Sequence, residues 1–210
     1  MDSFITIKDN IQAELVEKKS RFIANLFYVE SVKEAEEIIK IIKKKYFDAR
    51  HNCIAYRVLE KDRLIEKSCD DGEPSGTAGA PMLNILQKNN LGNVLVIVTR
   101  YFGGILLGTG GLVRAYSNSL LQAIEKSDKV EKCYGQELEV VLDYNEFDNF
   151  KYYCKNNNIN IVETKYLENI VCKIEMEEKA KMQLISDFET KKINIKNIKE
   201  LSKKFITKSK

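Results

Sequence analysis

Hydrophobic and polar positions alternate over residues 11–17 (IQAELVE) and again over 21–29 (RFIANLFYV), on either side of the polar break Lys18–Ser20. Two short strands are predicted there. The spacing then changes. Ala35, Ile38, Ile39 and Ile42 lie on one stripe of a helix running to about Lys45. Ser31 is placed as its N-cap and Glu34 stands at the capping-box position. Residues 51–59 (HNCIAYRVL) and 64–69 read as a hairpin around Glu60–Arg63. Residues 80–87 start a helix that tolerates Pro81 in its first turn. Residues 93–99 (NVLVIVT) are almost wholly apolar and β-branched, the pattern of a strand buried on both faces. A helix is predicted over 112–126. The order ββαββαβα implies a mixed sheet with helices packed on it.

Beyond residue 133 a simpler pattern restarts. Strands are predicted at 136–142, 159–166, 170–176 and 193–198, and helices at 145–157 and 178–189. The order βαββαβ is that of ferredoxin-like domains. Residues 202–210 (SKKFITKSK) read as a frayed basic tail. The expected fold class is therefore α+β with two domains: a mixed α/β domain over 1–133 and a ferredoxin-like domain over 134–210.

Composition sharpens this division. Nine of the ten glycines lie between residues 72 and 111, and both prolines, all six arginines and the single histidine precede residue 115. The functional surface is expected in the first domain, around residues 70–81 and 100–111. A net charge of +3 neither identifies nor excludes a nucleic-acid binder with a local basic patch. The odd number of cysteines, five without a CxxC pair, does not describe a disulfide scaffold or a zinc site. No apolar run is long enough to span a bilayer, and residues 1–20 lack a signal-peptide core. The cytosol is the expected compartment.

The segment RYFGGILLGTGG carries Gly103, Gly104, Gly108, Gly110 and Gly111. Glycines permit positive φ and expose N–H groups that can cradle an anion, and here they precede a predicted helix N-terminus. Arg100 ends the central strand and Arg114 is placed in the helix's first turn, where both can add directional phosphate contacts. Tyr101 and Phe102 can stack on bases. A structural reading stands beside this one, in which the glycines only allow close packing. The segment lacks GxxxxGK[ST], and the glycine pattern gives little support for a nucleotide site.

The acidic loop DDGEPSGTAGAP brings a second candidate, a polar site made of His51, Asp70, Asp71, Glu73 and Ser75. Pairing about Glu60–Arg63 brings residues 51–53 to residues 69–71. One histidine and three carboxylates can hold Mg²⁺ or Mn²⁺ or run acid–base chemistry. Alternatively, the carboxylates cap backbone N–H groups and pair with Arg50 or Arg57.

The blocks SRF (20–22), HNCIAY (51–56), DDGEPSGTAGAP (70–81) and RYFGGILLGTGGLVRAY (100–116) closely resemble the YigZ/IMPACT family, in its bacterial form without the RWD domain. The resemblance implies a first domain like domain two of ribosomal protein S5 and a second like the last domain of the translocation factor EF-G. It also implies a role in translation regulation, which the eukaryotic members exert on the Gcn kinase pathway. Some relatives carry a peptidase label, for which this chain offers no convincing ligand set. The expected function is RNA or ribosome association through the glycine- and arginine-rich surface. The alternatives are a protein-interaction module without nucleic-acid binding and a hydrolase-like enzyme using His51, Asp70 and Asp71. Binding is favoured over catalysis. The expected partners are RNA, the ribosome or a translation-related protein, with no membrane, no cofactor and a monomeric chain.

Overall fold

The computed structural model describes residues 3–60 and 63–208. The chain separates into two compact units, one over Ser3–Val130 and one beginning at Glu131.

In the first unit, strand β1 (Ser3–Ile7) is followed by the hairpin of β2 (Ile11–Glu17) and β3 (Ser20–Tyr28). Lys18 and Lys19, with φ of 44° and 64°, make its two-residue turn. Two successive positive φ values match the right-handed twist of the flanking strands. Helix α1 (Val32–Lys45) begins at Ser31, whose hydroxyl accepts from the Glu34 N–H. Glu34 reaches back to the N–H of Glu30, one residue beyond the usual capping-box partner. Strands β4 (His51–Glu60) and β5 (Arg63–Cys69), helix α2 (Gly79–Lys88), strand β6 (Val94–Tyr101) and helix α3 (Gly108–Glu125) follow. Residues 61 and 62 of the predicted hairpin link lie outside the described residues.

The sheet order is β2-β3-β6-β4-β5, and every neighbouring pair is antiparallel. The expected mixed sheet is corrected here. The crossover through α1 skips one position, as does the crossover through α2. A strand of opposite direction fills each gap: β6 between β3 and β4, and β4 between β5 and β6. Strand β6 is the centre of the unit. Val94, Val96 and Val98 enter the core under α2 and α3, while Leu95 and Ile97 enter the core under α1.

Three further expectations are revised. Strand β1, which was not anticipated, is held by the Gly92 N–H to Ile5 carbonyl bond of 2.9 Å and by buried Phe4 against Gly92. Helix α3 starts at Gly108 rather than 112. Gly108, Gly110 and Gly111 therefore form its first turn, and Arg114 falls in the second.

The second unit contains β7 (Lys129–Leu142), a 3-10 turn at Tyr144–Glu146, α4 (Phe147–Asn156), β8 (Asn160–Tyr166), β9 (Ile170–Met176), α5 (Glu178–Glu189) and β10 (Asn197–Thr207). The division between the units falls inside β7. The strand order β10-β7-β9-β8 is antiparallel throughout. Leu138, Val140, Ile174 and Met176 pack with Phe150 and Leu184 from the helices. The expected frayed tail is mostly strand β10. Its lysines are cross-strand partners: Lys204 lies 2.7 Å from Glu137 and 2.8 Å from Glu175. Lys173 pairs with Glu163 at 3.0 Å. Residues 209 and 210 lie outside the described residues.

Candidate functional site

The hairpin register pairs Ile54 with Cys69, so residues 51–53 run on beside the acidic loop. The Asn52 N–H donates to Asp71 Oδ2 at 2.8 Å. His51 Nδ1 lies 3.0 Å from the Asp71 carbonyl oxygen. A carbonyl only accepts, so in this contact Nδ1 carries a proton and donates it. Asp71 and Gly72, with φ of 46° and 87°, turn the chain so that Glu73 folds back into the unit.

Glu73 is the centre of the cluster. Its Oε1 accepts from Arg100 Nη1 at 2.6 Å and from the Tyr116 hydroxyl at 2.8 Å, and lies 3.9 Å from His51 Nε2. Both members of the Glu73–Arg100 pair are buried. The Arg100 guanidinium lies between the rings of Phe22 and Phe102, at 5.5 and 5.6 Å from their centroids. Its Nε is buried without a partner among the described residues. Cys53 Sγ lies 2.9 Å from the Asp70 carbonyl and 3.3 Å from the Tyr116 hydroxyl. Burial pushes the Cys53 thiol up to about 12, and burial also raises Tyr116. Neither group ionises near neutral pH.

The remaining acidic-loop residues have other duties. Asp70 accepts from the backbone N–H groups of Gly76, Ala78 and Gly79 at 2.8, 3.0 and 2.8 Å, closing the loop onto the start of α2. Desolvation opposes its ionisation, but these three donors outweigh that cost and hold the carboxyl below its ordinary range. Asp71 pairs with Lys43 at 2.7 Å. Ser75 is exposed. The carboxylates do cap backbone N–H groups, but the arginine among their partners is Arg100 rather than Arg50 or Arg57. Arg57 pairs instead with Glu66 at 2.7 Å. Among the described residues, no group of three or more His, Cys, Asp or Glu is placed to hold a metal ion.

The glycine block divides by side-chain parity. Arg100 points into the core under α3, whereas Tyr101 lies on the α1 face, where its hydroxyl donates to Asp48 at 2.8 Å and Arg21 covers its ring at 5.8 Å. Gly103 donates to Ser20 Oγ at 3.1 Å, and any Cβ on it would collide with the backbone of Lys19 and Ser20. Gly104 and Gly108 have positive φ and open space beside them. Apolar side chains around Gly104 turn outward: Phe102 is 50%, Ile105 42% and Leu106 83% exposed. Helix α3 has no side-chain N-cap. A cavity of about 110 Å³ beside its first turns is lined by Lys18, Leu107, Gly111, Arg114 and Asn118, among others.

His51, Asp71, Glu73 and Arg100 are therefore brought together, while Arg100 and Arg114 have separate surroundings. Tyr116 and Cys53 were missed as members of the cluster, although both lie inside the sequence blocks already singled out. Phe22 and Ser20 from the SRF block complete it, one under Arg100 and the other on Gly103.

These features define a two-unit, two-sheet α+β protein whose first unit holds a buried polar network under a glycine-rich loop. Residues 18–124 match the Impact N-terminal domain, and residues 140–188 match a domain of unknown function, DUF1949. The chain is 41% identical over 179 residues to IMPACT family member YvyE of Bacillus subtilis (strain 168), covering 85% of this chain and 82% of that one. It is 39% identical over 174 residues to an IMPACT family member of Haemophilus influenzae, covering 81% and 83%. The crystal structure of a hypothetical protein aligns with TM-score 0.64 and 28% identity over 96% of this chain and 98% of that one. The chain belongs to the IMPACT family. No helix among the described residues is long and apolar enough to cross a membrane.

Proposed function

We propose that this chain is a binding protein of translation regulation that docks a translation-related protein through the loop Phe102–Leu106. The observation that carries this reading is the outward display of Phe102, Ile105 and Leu106 on a loop pinned at Gly103 and backed by Arg100. Contiguous exposed apolar side chains on a fixed frame are the usual mark of a protein contact. The link to translation rests on family membership and on what the resemblance implies for the family's eukaryotic members. Within the same reading, the first unit is taken as S5-domain-2-like and the second as ferredoxin-like. The order βαββαβ with strands β10-β7-β9-β8 supports the second assignment.

The phosphate-backbone reading has one observation in its favour, the cavity that joins Lys18 and Arg114 to the uncapped start of α3. Arg100 adds little to it, because its charge is already met by Glu73. A hydrolase reading has less support. Asp70 is committed to three N–H groups, Asp71 to the Asn52 N–H and Lys43, and Glu73 to Arg100 and Tyr116, so every carboxylate of the cluster already has other partners.

The test is photo-crosslinking from position 106 in cells, followed by binary titration of each captured protein against wild type and Leu106→Asp. The expected result is a translation-related protein whose affinity drops in the variant. Unchanged affinity in Leu106→Asp refutes the docking loop. RNA binding that is lost in a Lys18→Ala/Arg114→Ala double variant would favour the phosphate reading instead.

A further inference from the structure

The loop Phe102–Leu106 does not stand alone on its surface. Gly103 lies so close to the backbone of Lys19 and Ser20 that no Cβ fits, and its N–H donates to Ser20 Oγ at 3.1 Å. The two-lysine turn between β2 and β3 is thereby held beside the apolar loop. At the loop's other end, Leu107 lines a cavity of about 110 Å³ together with Lys18 and Arg114. Arg114 Nη1 reaches back to Gly110 in the first turn of α3, which brings the guanidinium toward the loop.

Lys18, Lys19 and Arg114 are exposed, and none has an ion-pair partner among the described residues. The carboxylates of the adjoining elements are committed elsewhere: Glu14 to Arg21 at 2.8 Å, and Glu73 to Arg100 at 2.6 Å. Glu17 is the one carboxylate that lines the cavity. The apolar side chains are therefore bordered by a cationic excess on the same surface. An apolar centre with a charged rim is the arrangement of a protein interface, and the sign of the rim selects the partner.

We infer that the partner segment docked by this loop is acidic as well as apolar. Its leucine-type side chains meet Ile105 and Leu106, and flanking carboxylates meet Lys18, Lys19 and Arg114. The inference rests on the docking-loop reading above and names the chemistry of its partner. Single-stranded nucleic acid needs ring faces for its bases, and Ile105 and Leu106 offer none. The recess between Lys18 and Arg114 has the volume of a few waters at ~30 Å³ each. It suits one carboxylate-bearing side chain, which a bilayer surface does not present.

The experiment titrates the full chain into a fluorescein-labelled peptide in which pairs of leucines alternate with pairs of glutamates, at about 0.1 M salt. Versions with lysine or glutamine in place of glutamate, octa-glutamate, a labelled oligouridylate and phosphatidylserine vesicles run in parallel. The glutamate peptide should bind saturably and the lysine version not at all. The glutamine version, which lacks the charges, and octa-glutamate, which lacks the apolar side chains, should each bind at least about fivefold more weakly. Lys18→Glu/Arg114→Glu should weaken the glutamate peptide at least about tenfold and admit the lysine version. Damage to the fold does not produce that exchange. Glu17→Gln should strengthen the glutamate peptide. Lys40→Glu/Lys44→Glu makes the same change in net charge at exposed positions of α1 and should stay within about twofold. Equal affinity for the glutamate, glutamine and lysine peptides, with Leu106→Asp abolishing all three, overturns the acidic partner and leaves the docking loop standing. Wild-type affinity for the glutamate peptide in Leu106→Asp removes the loop and the inference with it. Absence of saturable peptide binding overturns the inference alone, because photo-crosslinking from position 106 decides the loop separately. Oligouridylate or vesicle binding that exceeds the glutamate peptide and is lost in Lys18→Glu/Arg114→Glu overturns it in favour of nucleic acid or an anionic membrane.

Discussion

Glu73→Gln separates a structural Arg100 from a ligand-binding one. Glutamine keeps the volume and one acceptor for Tyr116, so the main loss is the negative charge 2.6 Å from Arg100 Nη1. The guanidinium stays buried, and its Nε already has no partner among the described residues. Removing one member of a buried ion pair typically costs about 3–5 kcal/mol, against a total stability of roughly 5–15 kcal/mol for a domain. Urea unfolding followed by far-UV circular dichroism should therefore show a large fall in midpoint with little change in slope. Adding Arg100→Met removes the stranded cation, so the double variant should lose clearly less than the two single losses combined. A coupling of about 1–3 kcal/mol is expected for groups in direct contact. A Glu73→Gln loss below about 1 kcal/mol, or additive losses in the double variant, would refute the reasoning and return Arg100 to the list of candidate anion ligands.

Three other outcomes follow from the same geometry. The Asp70 carboxyl is held below its ordinary range, so its stabilising contribution is present at neutral pH and fades as pH falls through the folded-state value. Asp70→Asn should flatten the acid side of a stability–pH curve and lower stability at pH 7 by about 0.5–2 kcal/mol, read from urea midpoints between pH 7 and pH 3. Gly103→Ala should destabilise by about 1–3 kcal/mol, because the backbone of Lys19 and Ser20 occupies the space its methyl needs; a thermal melt equal to wild type would contradict this. Cys69 is exposed while Cys53, Cys133, Cys154 and Cys172 are buried, and burial raises Cys53 and Cys154 to about 12. Titration of the native protein with a thiol-reactive chromophore should show one fast thiol, and replacing Cys69 with serine should remove it.

Much of the architecture was legible because the periodicity changes where the elements change. Residues 170–176 and 178–189 were placed to the residue, since alternation gives way at once to a helical stripe. The errors have physical causes. The lysines of residues 202–208 suggested a solvated tail, yet Lys204 and Lys208 lie opposite glutamates of the neighbouring strands, and that pairing is invisible along one segment. The glycines at 108–111 suggested a loop because glycine is a poor helix former. They were instead taken into the first turn of α3. Strand β1 lacks a hairpin partner nearby in sequence, and no local signal marks it. The parity of β6 was available and unused. Val94, Val96 and Val98 share a face with Arg100, so an arginine on that face enters the core and requires a buried counter-charge. The acidic loop offers three carboxylates, and only the fold identifies Glu73 as the one turned inward.

That inward turn changes what the glycine block is for. Had Arg100 been exposed beside Arg114, the two guanidinium groups and the free N–H groups of α3 would together suit a polyphosphate. Instead Glu73 accepts from both Arg100 and Tyr116 inside the unit, and the exposed side chains of the block are Phe102, Ile105 and Leu106. The buried network and the apolar loop are coupled through Phe102, which lies over the guanidinium at 5.6 Å. Docking and stability should therefore respond differently to two substitutions. Leu106→Asp alters a side chain that touches little and should weaken docking while leaving the unfolding midpoint nearly unchanged. Glu73→Gln should lower the midpoint and also weaken docking of the protein that remains folded, because the guanidinium beneath Phe102 loses its anchor. If Glu73→Gln lowers stability and leaves docking at wild-type strength, the loop holds its shape through Gly103 and Ser20 alone, and the network serves the fold without serving the surface.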